Sequence, residues 1–128
     1  MATLDFVVFP PRWLVAENTF KPPYYHRNCM SEFMGNITGI YDAKGAGFAP
    51  GCSSLHSCMT PHGPDAESYE GFVKSEQKPF KISEENYAFM FESGYLMKTT
   101  KWAMNGFLTV DEDYHKCWEN LSNVKYEA

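Results

Sequence analysis

No stretch of this chain approaches the roughly 20 consecutive apolar residues that a bilayer-crossing helix needs, so a helical membrane span is not expected. The opening, Met1-Ala2-Thr3-Leu4-Asp5, has neither the basic flank nor the long apolar core of a secretory leader. Together these absences point to a cytoplasmic protein without a membrane partner. Positive charge is scarce too: 11 Lys and Arg against 16 Asp and Glu leave a formal net charge of −5 at pH 7. That balance repels a phosphate backbone, so nucleic acid is not an expected partner. Cysteine is sparse, with Cys29, Cys52, Cys58 and Cys117 showing no C-x-x-C spacing. In a reducing compartment they read as free thiols rather than a disulfide framework. Asn36-Ile37-Thr38 matches a glycosylation acceptor, which means little without a leader.

No internal repeat, low-complexity tract or linker divides the sequence. A length of 128 residues suits one domain, residues 1–128, with a modest core that needs no cross-link for stability. What the chain does have is aromatic side chain, 16% of residues, within an ordinary folded composition of 44% hydrophobic and 21% charged residues. Aromatic and β-branched residues favour sheets. Asp5-Phe6-Val7-Val8-Phe9, closed by Pro10-Pro11, reads as a strand. After a second proline pair, Pro22-Pro23, the stretch from Glu32 to Tyr41 reads as strands with a bend at Gly35 and Gly39. Ala43 to Pro64 is rich in glycine and proline and reads as turn and irregular loop, the kind of long loop that carries function. Asp65 to Val73 fits a short helix with Asp65 as N-cap and Glu67 and Glu70 near its positive end. Tyr87 to Glu92 and Leu96 to Trp102 read as a hairpin around Ser93-Gly94-Tyr95. Near Asp111 to Leu121, Tyr114, Cys117, Trp118 and Leu121 share one helical face, and Thr109 with Glu112 resembles a capping box.

Only four histidines are present: His26, His56, His62 and His115. Two neutral imidazoles and one carboxylate on one face of an octahedral metal leave positions open for substrate and O2, the pattern of non-haem Fe(II) oxygenases. His26, Glu32 and His62 supply such a set. On a straight strand, residues six apart are separated by roughly 20 Å, too far for two ligands of one ion. On an ideal helix the two would point about 120° apart. The chain must therefore turn within Arg27 to Ser31, with His26 ending one strand, Glu32 opening the next, and His62 arriving from a third segment. A β-sandwich or barrel meets that requirement and a helical bundle does not. By spacing alone the alternative stays open, with His26 hydrogen-bonded locally, Glu32 solvated and His62 a loop imidazole. His115, between Tyr114 and Lys116, reads as solvent-exposed. Of Tyr24 and Tyr25, one is expected to line the site and one to pack in the core.

The strings Phe9-Pro10-Pro11-Arg12-Trp13, Pro22-Pro23-Tyr24-Tyr25-His26-Arg27-Asn28, Met30-Ser31-Glu32-Phe33-Met34-Gly35 and Ser54-Leu55-His56 resemble the homogentisate 1,2-dioxygenase family. So do Pro61-His62-Gly63-Pro64-Asp65, Ala88-Phe89-Met90-Phe91-Glu92-Ser93 and Tyr114-His115-Lys116-Cys117-Trp118, in family order across nearly the whole chain. The resemblance, to the C-terminal iron-carrying part, implies a mainly β, cupin-like jelly roll or β-sandwich with a short C-terminal helix. It implies Fe(II) held by His26, Glu32 and His62, and contact of Tyr41, His62 and His56 with homogentisate. The implied reaction is ring cleavage of homogentisate by O2 to maleylacetoacetate, in tyrosine and phenylalanine catabolism, by a homo-oligomer built of trimers paired into hexamers. Family members are longer, and carry an N-terminal β-domain and an upstream base histidine that match nothing in these residues. No catalytic base is therefore assigned here, and the alternative is a truncated cupin module that binds metal or other subunits without turnover.

Overall fold

The computed structural model describes residues 3–14, 24–45, 47–76, 78–82, 84–107 and 109–121. Among these residues six strands dominate: β1 (Leu4–Phe9), β2 (Trp13–Leu14), β3 (Ser31–Thr38), β4 (Ser53–His56), β5 (Phe80–Lys81) and β6 (Tyr87–Ser93). One α-helix, α1 (Ala66–Lys74), lies between β4 and β5. A π-type turn (Ala103–Phe107) and a 3₁₀ turn (Tyr114–Trp118) follow β6. The protein is thus mainly β, with antiparallel sheets, as the aromatic composition suggested.

Four strands form one sheet in the order β1-β6-β3-β4, every pair antiparallel. Strands β2 and β5 pair separately through Trp13 with Lys81 and Leu14 with Phe80. Because directly paired residues share a face, the register sorts the side chains of the large sheet into two sets. Glu32, Met34 and Asn36 of β3, His56 and Ser54 of β4, Ala88 and Met90 of β6, and Val7 and Phe9 of β1 share one side. Phe33, Phe89, Phe91, Leu55, Leu4, Phe6 and Val8 share the other. The core sits on the first side, where Met34, Phe48 and Ala88 are buried and Phe9, Tyr41 and Met90 pack against them. Full burial of a methionine contributes roughly 1.5–3 kcal/mol.

Helix α1 forms where expected. Asp65 caps it, its carboxylate accepting from Ser68 N at 2.7 Å and from Gly45 N at 2.9 Å, so the helix start is tied to the preceding loop. After β6 two expectations fail. Leu96 to Thr100 is not a strand: β6 already has β1 on one edge and β3 on the other, so no hairpin partner is needed. The expected C-terminal helix is only the 3₁₀ turn at Tyr114–Trp118, and Asp113 precedes it without a side-chain cap. Even so, Tyr114, Cys117, Trp118 and Leu121 are the half-buried residues of that segment, so the inward face was read correctly. Asn36 lies within β3, 3% exposed, its amide donating to Gly39 O at 2.9 Å and Phe48 O at 2.7 Å, a use that leaves no room for a sugar. Pro22-Pro23 lies outside the described residues. No disulfide joins the four cysteines, and among the described residues no helix is long and apolar enough to cross a membrane.

A convergent histidine and carboxylate site

Two cross-strand pairings build the site. The first is an isolated antiparallel bridge in which His26 N donates to His62 O and His62 N donates to His26 O, both at 2.9 Å. A doubly bonded pair of this kind places both side chains on one side of the ladder, and the rings lie 4.5 Å apart. His26 therefore belongs to a single bridge rather than to the end of a strand. The second pairing is Glu32 of β3 with His56 of β4. Between His26 and Glu32 the chain does turn, over Arg27 to Met30: Met30 N donates to Asn28 Oδ1 at 2.7 Å, and Met59 N donates to Asn28 O at 2.8 Å. Asn28 thus ties the turn both to itself and to the loop that leads to His62.

Backbone carbonyls set the imidazoles. His26 Nδ1 lies 3.0 Å from Tyr24 O, and His62 Nδ1 lies 2.8 Å from Thr60 O, in each case two residues back along the chain. A carbonyl only accepts, so both Nδ1 atoms carry the proton, and each neutral ring keeps its lone pair on Nε2. Those Nε2 atoms meet one carboxylate oxygen: Glu32 Oε2 lies 2.9 Å from His62 Nε2 and 3.9 Å from His26 Nε2. Two acceptors at 2.9 Å repel unless a cation, a proton or a metal, stands between them. One ligand atom each from His26, Glu32 and His62 lies within 4.8 Å of the others. Bonds of about 2.1 Å at right angles bring adjacent ligands to about 3 Å; Glu32 and His62 have that spacing, and His26 Nε2 stands farther out, 3.9 Å from the carboxylate, so two nitrogens and one oxygen converge as a metal would need. Pinning of Nδ1 by a backbone carbonyl is also the usual support of a metal-bound histidine.

Electrostatics agree with this arrangement. Burial raises the Glu32 carboxyl, yet the imidazoles of His56 and His62 outweigh it and hold the carboxyl far below the ordinary range. Contact with Glu32 raises His62, while burial lowers His56. A buried carboxylate, 7% exposed, is therefore kept ionised by its neighbours.

His56 stacks on His62 at 4.3 Å with 9° between the ring planes. Its Nδ1 lies 3.8 Å from Glu32 Oε1, and its Nε2 lies 3.1 Å from the Tyr114 hydroxyl. The Tyr41 ring packs edge-on against Phe9 at 5.7 Å and Phe48 at 6.1 Å, over the core on the same side of the sheet as Glu32. Burial, with Asp42 adding, pushes its phenol well above the ordinary value. Tyr24 is 74% exposed, with its ring edge on His26 at 5.4 Å. Tyr25 lies against Tyr69 and covers Gly63, where a Cβ would stand 2.6 Å from Tyr25 Cδ1 and 3.1 Å from its Cα. Glycine is what allows the bridge to close there. His115 points to solvent near Glu119, as expected.

Two residues beside the imidazoles are not site candidates in the sequence. Lys44, 6% exposed, donates to the Tyr114 hydroxyl and sits 4.2 Å from the Tyr114 ring and 5.0 Å from the Trp118 ring. It follows Ala43 in a loop whose composition says only that it turns. For Tyr114 the periodicity gives an inward orientation and nothing of its hydrogen bonds.

Comparison with known proteins shows the same stretch elsewhere. A family profile described as "Homogentisate 1,2-dioxygenase C-terminal" matches residues 1–125. The chain is 57% identical over 123 residues to a Homo sapiens protein and to a Dictyostelium discoideum protein, each named homogentisate 1,2-dioxygenase, with 96% of this chain and 28% of each relative covered. A relative of that name from Rhizobium etli (strain CIAT 652) is 56% identical over 120 residues, covering 94% of this chain and 26% of its own length. The chain thus spans little more than a quarter of the curated relatives it matches.

Proposed function

The chain belongs to the homogentisate 1,2-dioxygenase C-terminal family, and on that premise we propose that it carries the Fe(II) site of a dioxygenase that cleaves homogentisate with O2 to maleylacetoacetate. The observation that carries this reading is the pair of imidazoles, each with Nδ1 tied to a backbone carbonyl, whose Nε2 lone pairs face one buried carboxylate oxygen. His26, Glu32 and His62 would hold the ion. When bound, Fe(II) would supply the redox chemistry that joins O2 to the ring, and three protein ligands leave the remaining positions free for it.

The chain's own residues have simpler parts. The Tyr24 and Thr60 carbonyls hold both imidazoles in the liganding tautomer, and the surrounding imidazoles keep Glu32 ionised although buried. Tyr41, His62 and His56 bind homogentisate in this reading, supported by the stacking of His56 on His62 and by the position of Tyr41 on the Glu32 side of the sheet. No catalytic base is assigned among these residues. Residues 1–128 are taken as one cupin-like domain, the four-stranded sheet being part of a jelly roll. The protein is taken as cytoplasmic and homo-oligomeric, in trimers or hexamers, without nucleic acid or membrane partners.

Anaerobic loading with Fe(II), followed by O2 uptake with homogentisate, tests the activity. Uptake with formation of maleylacetoacetate is expected; iron bound with no uptake at full loading would reduce the chain to a metal-holding module, and no iron bound would remove the site.

A further inference from the structure

We propose that Tyr114 is a positioning residue of the metal site: its phenol fixes the tautomer of His56, so that His56 Nδ1–H is turned toward Glu32 Oε1. The inference rests on the metal-site reading above and extends it by a chain of directed hydrogen bonds that begins at Lys44. As an ammonium, Lys44 has donors only, and it donates to the Tyr114 oxygen. The phenol's single proton is then free to go to His56 Nε2, 3.1 Å away. An Nε2 that accepts leaves the neutral ring's one proton on Nδ1. That Nδ1 is buried and has no partner within hydrogen-bonding distance, and Glu32 Oε1 lies 3.8 Å from it. Ser54 also lies beside the phenol and acts on it electrostatically, but its buried Oγ has no partner within hydrogen-bonding distance, so His56 Nε2 is the acceptor in reach of the phenol.

The two carboxylate oxygens of Glu32 thereby acquire different surroundings. Oε2 faces His62 and His26, whereas Oε1 faces the N–H of His56. A donor aimed at one oxygen favours a carboxylate that offers the other to the ion, and such supporting groups set both affinity and geometry. The stack of His56 on His62 passes the same restraint to a second ligand. Tyr114 reaches the site from a separate 3₁₀ turn, which Trp118 anchors by donating from Nε1 to Pro64 O at 2.9 Å, two residues beyond His62. The C-terminal turn therefore closes the site on its far side.

Two readouts on the full chain test this, with Zn(II) and Co(II) alone as probes. In the Zn(II)-loaded chain, imidazole 15N shifts should show His56 protonated on Nδ1 and unprotonated on Nε2. Competition against a chelator should show Tyr114→Phe binding Co(II) about 10-fold more weakly, at the low end of the losses seen when a ligand's supporting partner is removed. His115→Ala, which alters the exposed side of the same turn and leaves both the phenol and the Trp118 anchor, should bind at the native level. An Nε2–H tautomer in the native chain, unchanged affinity in Tyr114→Phe, or equal losses in both variants would overturn the inference while leaving the metal site standing. If the native chain binds no Co(II), the metal-site reading falls and this inference falls with it.

Discussion

The two faces of the four-stranded sheet are both rich in apolar residues, yet they are used in opposite ways. On one face Glu32, Met34, Asn36, His56 and Ala88 are all 7% exposed or less. On the other, Leu4, Phe6 and Val8 are 55%, 58% and 45% exposed, and Phe33, Phe89 and Phe91 are half-buried, with the Phe6 and Phe91 rings 4.7 Å apart. The ionisable side chains Glu32 and His56 are thus buried on the inner face, whereas Phe6, Phe33, Phe89 and Phe91 lie together on the outer one. A buried polar group is costly unless its partners are specific, which is why the inner face is where chemistry concentrates. An exposed aromatic patch of this kind marks a surface suited to association.

The sharpest way to break the comparison is to remove an inner imidazole. His62→Ala should abolish iron retention after dialysis, whereas His115→Ala, on the solvent side, should keep the native metal content; equal content in both would refute the ligand assignment. Next in size is packing. Met34→Ala should cost about 2–5 kcal/mol in urea unfolding, while Phe6→Ala on the outer face should cost well under half as much; similar losses would mean that the outer face is also covered. Metal removal comes third: at a free metal concentration of about 100 times Kd, binding stabilises the fold by about 2.7 kcal/mol. Chelation should therefore lower Tm, and a Tm indifferent to chelator would separate the site from the fold.

Smaller effects probe how the inner face is held together. Gly63→Ala places a methyl against the Tyr25 ring and Cα, and relief requires opening the bridge between His26 and His62. A loss of about 1–3 kcal/mol with weaker metal binding is expected, and loss of stability alone would uncouple the bridge from the site. The smallest effect belongs to Asp65→Ala, which removes the cap of α1 and the tie to Gly45. Loss of such a cap costs about 0.5–2 kcal/mol; thermal unfolding would detect it, and metal affinity should not change.

Much of this was legible beforehand. The runs at Asp5 to Phe9 and Tyr87 to Glu92 announced strands through aromatic and β-branched content, and Asp65 announced its helix through cap chemistry, because these signals act within a few residues. The failures share a cause. Leu96 to Trp102 had strand-like composition, but a strand needs a free edge, and β6 had none left. The segment from Asp111 to Leu121 had helical periodicity, yet only a 3₁₀ turn forms at Tyr114–Trp118, held by the Trp118 bond to Pro64 and the packing of Tyr114 beside His56.

From the residues alone came the β-rich class, the need for a turn between His26 and Glu32, and the candidate set of His26, Glu32 and His62, to which the family resemblance added His56 and Tyr41. These depend on composition, chain reach and side-chain chemistry, all of which are local. Only the folded arrangement decided that the two carbonyls pin the two imidazoles, that His56 pairs across from Glu32, and that Lys44 and Tyr114 join them from 12 and 58 residues away from His56. Hydrogen bonds are directional and short-ranged, so which groups satisfy one another is settled by strand register and loop closure, neither of which is written in any single segment.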